Sequence, residues 1–129
     1  MAEHRDMLAH LPCRIVFDHM GRLDPHLGVR DPAFSVLCAL IDRGSVWVKL
    51  SGPYLNTVSG YPWEDACAVA QTLAAFAPDR VVWGSDFPHV TERDKPAPES
   101  LIEQIPRWLP DARAQRLALA DNPKELYGF

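Results

Sequence analysis

Three short apolar runs, each closed by polar residues, set the rhythm of this chain: Arg14-Ile-Val-Phe-Asp18, Val46-Trp-Val-Lys-Leu50 and Arg80-Val-Val-Trp83. β-branched and aromatic side chains dominate them, and their length suits strands. They recur roughly every 33 residues, the spacing of a βαβ unit. Between the first two, Asp31 is placed to cap a helix, Pro32 to occupy its first position and Gly44 to end it. Between the second and third, residues 63–77 carry Ala66, Val69, Ala70, Leu73 and Ala74 at helical spacing, and Pro78 stops the run.

After the third run the pattern predicts a loop holding Pro88, Pro96 and Pro98, a helix over about 99–108, and another over 112–120 capped by Asp111. The last segment, Asp121-Asn-Pro-Lys-Glu-Leu-Tyr-Gly-Phe129, reads as a separate helix with Asn122 as N-cap, Pro123 at N1 and Glu125 closing a capping box. Met7, Leu8 and Leu11 fit the end of a helix that feeds the first strand. Strands alternating with helices imply a parallel α/β sheet. Such a sheet needs cover on both faces and at its edges. The chain is therefore either a small doubly wound domain or a part of a larger barrel. As a part, it is expected to expose apolar positions such as Val16, Val48 and Val82, and to self-associate through open strand edges.

The polar residues fall at the strand ends. The first strand ends in Asp18-His19, the second carries Lys49 and ends in Ser51-Gly52, and the third ends in Gly84-Ser85-Asp86, followed by Pro88-His89. Parallel α/β proteins place their sites at those C-terminal ends. There Asp86 is positioned to take a proton from water as a general base, or to ligate a divalent metal. An Asx turn before Pro88 is its structural alternative. His19 is a candidate to bind substrate, to ligate metal, or to satisfy a loop carbonyl. His89 is a candidate for substrate binding or for a structural role. Asp18, Ser51 and Ser85 could equally be caps. His4, His10 and His26 lie away from strand ends and are expected in solvent. The register of Lys49 stays open.

Composition narrows the partners. The 129 residues carry a net charge of −4, which gives no basic stripe for nucleic acid. No apolar run is long enough to span a membrane, and no signal segment is visible, so a cytoplasmic protein is expected. Cys13, Cys38 and Cys67 show no CxxC spacing and read as buried or half-buried free thiols.

Four motifs, in order, resemble those of the amidohydrolase-related family: Val16-Phe-Asp-His-Met-Gly-Arg22, Val46-Trp-Val-Lys-Leu-Ser-Gly52, Val82-Trp-Gly-Ser-Asp-Phe-Pro-His89 and Asp121-Asn-Pro-Lys-Glu-Leu-Tyr127. The likeness is to its lactonase branch, around 2-pyrone-4,6-dicarboxylate hydrolase. The resemblance implies a TIM-type (β/α)8 barrel of which residues 1–129 supply about strands six to eight. It implies hydrolysis of a lactone or cyclic ester of a carboxylated small molecule. It makes Asp86 the catalytic base, and it gives His19 to substrate or metal, with Ser51 and His89 also near substrate. A divalent metal such as zinc, held by His19 and Asp86, is expected only if the branch uses one.

The chain departs from the pattern in three ways. No His-x-His pair of the family's first strand occurs in it. The βα units before the sixth strand have no counterpart. Leu55 stands where the lactonases place a carboxylate-binding arginine, which leaves Arg22 and Arg30 as nearby basic candidates. Two alternatives follow: a catalytically silent truncated product, and a small doubly wound binding domain.

Overall fold

A computed structural model describes residues 2–92 and 96–129. Three strands, β1 (Ile15–Phe17), β2 (Val46–Leu50) and β3 (Val81–Trp83), form one parallel sheet in sequential order. Each is shorter than or equal to the apolar run that announced it. In the register, Val16 sits beside Trp47 and Lys49 beside Val82. One face therefore presents Ile15, Phe17, Val46, Val48, Leu50, Val81 and Trp83, and the other Val16, Trp47, Lys49 and Val82. This fixes the direction of Lys49: it shares a face with Trp47.

The first face carries the main core. Helix α2 (Pro32–Ile41) packs there through Leu37, Leu40 and Ile41. Helix α3 (Glu64–Phe76) does so through Ala66, Val69, Ala70, Leu73 and Ala74, the stripe its spacing predicts. Asp31 caps α2 by accepting from the Ala33 N–H, and Gly44, at φ +88, turns the chain toward β2. Helix α1 (Arg5–Ala9) precedes β1. The sequential strand order, with α2 and α3 on one face, fits a strip of a barrel wall; the doubly wound alternative needs a reversal of strand order, and the described residues hold none.

Several sequence expectations change. The helix expected over 99–108 is two, α4 (Pro98–Ile102) and α5 (Gln104–Trp108). Pro106 lacks the N–H that would bond the Ile102 carbonyl and its ring crowds that carbonyl, so the break falls there. Helix α6 (Ala112–Arg116), capped by Asp111, does not stop at 120. It runs through a π-type turn, Leu117–Asp121, into α7 (Asn122–Tyr127). Asn122 is helical in φ and ψ and caps nothing. Its buried amide instead donates to the carbonyls of Pro78 at 2.8 Å and Val81 at 2.7 Å, tying α7 to the start of β3. The widened turn absorbs the missing N–H of Pro123, as π-bulges do.

The second face is better covered than expected. Trp47 and Val82 are 1% exposed and pack on Leu126 of α7, with Val16 half-buried beside them. Arg80 stacks its guanidinium 4.9 Å from the Trp47 ring centroid. Val48 faces the helices. The edges of β1 and β3 have no strand partner among the described residues. Cys38 is half-buried and Cys67 buried, and burial raises both thiols, but Cys13 lies exposed just before β1. His4, His10 and His26 are exposed as expected. No helix of the described residues is long and apolar enough to cross a membrane.

Candidate active site

The C-terminal ends of the three strands converge. Immediately after β1 the backbone turns tightly, with His19 at φ 52, Met20 at φ 54 and Arg22 at φ 49. After β3, Asp86 has φ 59 and His89 φ 56. Non-glycine residues occupy the left-handed region rarely and at a cost, and such residues gather where a site holds its geometry against local preference. Met20, wholly buried, anchors the first turn to the core while His19 projects from it.

His19 meets both neighbouring strand ends. Its Nδ1 lies 3.0 Å from the Ser51 Oγ, and its Nε2 lies 3.8 Å from the Asp86 Oδ1. Ser51 is 0% exposed, so it reaches the surface only through His19. Gly52, at φ +54, lets the ring approach: a Cβ there would sit 3.0 Å from His19 Nδ1 and 3.0 Å from the Leu55 side chain. The other Asp86 oxygen, Oδ2, accepts a 2.5 Å hydrogen bond from the Tyr54 hydroxyl, which also stands 2.9 Å from His89 Nδ1. Burial, and then the Asp86 carboxylate, raise the Tyr54 phenol well above its usual range, so it stays protonated. His89, 5% exposed, lies behind Tyr54 in a T-shaped contact.

Below this group, Lys49 runs across Gly84, where a Cβ would meet its Cδ at 3.0 Å, and pairs with Asp18 at 2.6 Å. Burial acts to lower the Lys49 ammonium's pKa, but the hydrogen bond and charge of Asp18 outweigh it and the net shift is upward. Ser85 accepts from the Phe87 N–H at 3.3 Å and shapes the turn. Among the described residues no backbone N–H donates to the Asp86 side chain; it is the Asp86 carbonyl that accepts from the His89 N–H, at 2.8 Å.

An open cavity of about 220 Å³ is lined by His19, Arg22, Leu55, Asp86, Phe87 and Val90, among others. Ligand pockets usually enclose roughly 300–1,000 Å³, so this cavity is smaller than most. Of the expected residues, His19 and Asp86 face it; Ser51 is buried behind His19, and His89 lines a neighbouring cavity with Trp83, Phe87 and Leu101. Of the two basic candidates, Arg22 lines the cavity, whereas Arg30 lines a different depression beside Asp65. Tyr54 was not singled out by the sequence, and Asp18 and Lys49 were, but not as an ion pair. The hydroxyl of Tyr54 reaches Asp86 only because Gly52 and the short helical turn Pro53–Leu55 fold the loop back, which no strand-end rule indicates.

A catalytic zinc usually takes three protein ligands. Among the described residues no group of three His, Cys, Asp or Glu side chains is placed to hold a metal ion. His19 Nε2 and Asp86 Oδ1 supply two donors, with Asp86 Oδ2 committed to Tyr54. The described donor set therefore does not fit a metal unaided.

The amidohydrolase family model matches residues 1–129. A D-galactarolactone isomerase of Agrobacterium fabrum is 35% identical over 98% of this chain, which covers 44% of that protein. A 4-sulfomuconolactone hydrolase of Rhizobium radiobacter is 36% identical over 95% of the chain and 42% of its own length. The solved structure of a probable 2-pyrone-4,6-dicarboxylic acid hydrolase from Acinetobacter baumannii, with citric acid bound, superposes with a TM-score of 0.85 at 28% identity, covering 98% of this chain and 48% of that one. The chain thus spans less than half the length of these relatives.

Proposed function

Because this chain belongs to the amidohydrolase family, we propose that β1–β3 supply the C-terminal arc, about strands six to eight, of a (β/α)8 barrel that opens a lactone or cyclic ester of a carboxylated small molecule. The observation that carries this reading is the placement of Asp86 Oδ1 beside His19 Nε2 on an open cavity, with the second carboxylate oxygen and the second imidazole nitrogen each held from behind.

The chemistry follows from those atoms. Asp86 takes a proton from water, and the resulting hydroxide adds to the lactone carbonyl carbon. Ser51 donates to His19 Nδ1, which leaves the proton on Nε2. That N–H anchors and polarises the carbonyl oxygen as negative charge builds on it. Collapse of the tetrahedral intermediate breaks the ring C–O bond. The proton held by Asp86 goes to the leaving oxygen, and the products are a hydroxyl group and a carboxylic acid, which releases its proton to solvent as a carboxylate. Among the described residues Arg22 is the cation lining the cavity, available to a substrate carboxylate. Ser51, fully buried, acts through His19, and His89 contacts the Tyr54 hydroxyl while lining a neighbouring cavity with Trp83, Phe87 and Leu101.

The name of the Agrobacterium fabrum relative favours a second reading, in which a hydroxyl of the substrate replaces water and one lactone becomes another. The same base serves both. The test is turnover of a panel of carboxylated lactones in ¹⁸O-labelled water by the protein that carries these residues. Label in the new carboxylate is expected. Turnover without label would establish the isomerase reading, and no turnover across the panel would overturn both.

A further inference from the structure

The Tyr54 hydroxyl stands between two neighbours with a single proton to donate, and where that proton goes fixes more than the tyrosine. A phenol has one O–H to donate and lone pairs to accept with. An ionised carboxylate only accepts. The 2.5 Å contact to Asp86 Oδ2 therefore uses the Tyr54 proton. The 2.9 Å contact to His89 Nδ1 must then run the other way, with the ring N–H donating to the Tyr54 oxygen. The elevated phenol pKa agrees with a hydroxyl that keeps its proton beside a carboxylate.

We infer that Tyr54 is a positioning residue for the hydrolytic base: it holds Asp86 Oδ2, turns Oδ1 toward His19 and the cavity as the oxygen that meets water, and locks His89 as the Nδ1–H tautomer. The inference rests on the proposed role of Asp86, and it extends that role to a named oxygen and a three-residue chain, His89 to Tyr54 to Asp86. Three features make the arrangement one of position. Asp86 and His89 both lie in the left-handed region, flanking a turn closed by the 2.8 Å bond from the His89 N–H to the Asp86 carbonyl, so the backbone presents both side chains to the same point. Tyr54 comes to that point from the loop after β2, with its ring edge on Trp63, whose side chain is 6% exposed and belongs to the core. On the opposite side of the carboxylate, His19 Nε2 stands 3.8 Å from Oδ1, too far to hold that oxygen by hydrogen bonding. One oxygen is therefore fixed and the other is left for chemistry.

The imidazole tautomer reports this chain of bonds directly and without any turnover. Nitrogen-15 NMR of the chain, at a pH where His89 is neutral, is expected to show Nδ1 as the protonated ring nitrogen of His89, together with a slowly exchanging Tyr54 hydroxyl proton. Tyr54→Phe is expected to remove that proton and shift His89 toward the Nε2–H form. Finding Nε2–H in the unsubstituted chain would overturn the inference by itself, whether or not the variant folds. So would an unchanged His89 tautomer in folded Tyr54→Phe. In the lactone-opening protein the same substitution is expected to lower kcat about 10-fold or more while KM stays within about 3-fold, as loss of base alignment predicts. A purely structural Tyr54 would leave the tautomer as it was. Failure of Asp86 as base, by contrast, would leave the tautomer result standing and remove only its catalytic meaning.

Discussion

Ser51 and His19, thirty-two residues apart in the chain, meet at 3.0 Å with Ser51 fully enclosed. The bond joins the end of β2 to the turn after β1 and decides which imidazole nitrogen faces the cavity. Ser51→Ala leaves Nδ1 without its partner. The expected outcome is a loss of about 1 kcal/mol in stability and a visible change in the His19 ring shifts, read by thermal melt and by NMR. An unchanged His19 spectrum would detach Ser51 from the site.

Gly52 makes that bond possible. Gly52→Ala places a methyl group 3.0 Å from His19 Nδ1 in a backbone conformation, φ +54, that alanine adopts at a cost. Stability is expected to fall by about 1 kcal/mol or more, and the His19–Ser51 bond to lengthen or break. A crystal structure of the variant with His19 unmoved would contradict this.

Asn122 is expected to matter for folding and not for chemistry. Its amide satisfies two carbonyls, of Pro78 and Val81, from within a helix. Asn122→Ala strands both in a buried place and is expected to cost about 1–3 kcal/mol, seen as a melting temperature lower by several degrees.

A pH effect arises in the loop between β2 and α3. Burial tends to raise the Asp65 carboxyl, but hydrogen bonds from Thr57, the Val58 N–H, Ser59 and the Ala66 N–H outweigh it and hold the pKa at about 2, below the ordinary 3.8. Because the folded value is the lower one, this carboxylate stabilises the fold above the unfolded pKa, and that contribution is lost as pH falls through the folded one. Melting temperature is expected to drop between about pH 4 and 2 more steeply in the unsubstituted chain than in Asp65→Asn. Parallel curves would show that the loop over 57–65 does not depend on this charge.

The strands, the α2 cap and the buried stripe of α3 are legible in the sequence because each follows from local periodicity and from one capping residue. The C-terminal helix is not. Asn122-Pro123 carries every mark of a helix start, yet the helix passes through it, because tertiary bonds to the base of β3 reward Asn122 for staying helical. In the site, His19 and Asp86 are legible as strand-end residues. Their geometry is not, since it depends on left-handed turns at residues that local preference would not put there. Tyr54 is invisible for the same reason: its role comes from a loop folding back. The direction of Lys49 needs the strand register, which alternation alone leaves two ways round.

The central claim is that Asp86 takes the proton from water. It is tested by kcat/KM for opening of a carboxylated lactone in the protein that carries these residues, compared with its Asp86→Asn variant. The amide keeps an oxygen for Tyr54 and accepts no proton from water, so the fold is expected to hold while kcat/KM falls by about 10²–10⁴-fold. A folded variant with activity within a few-fold of the unsubstituted protein would contradict the account and leave Asp86 a structural residue.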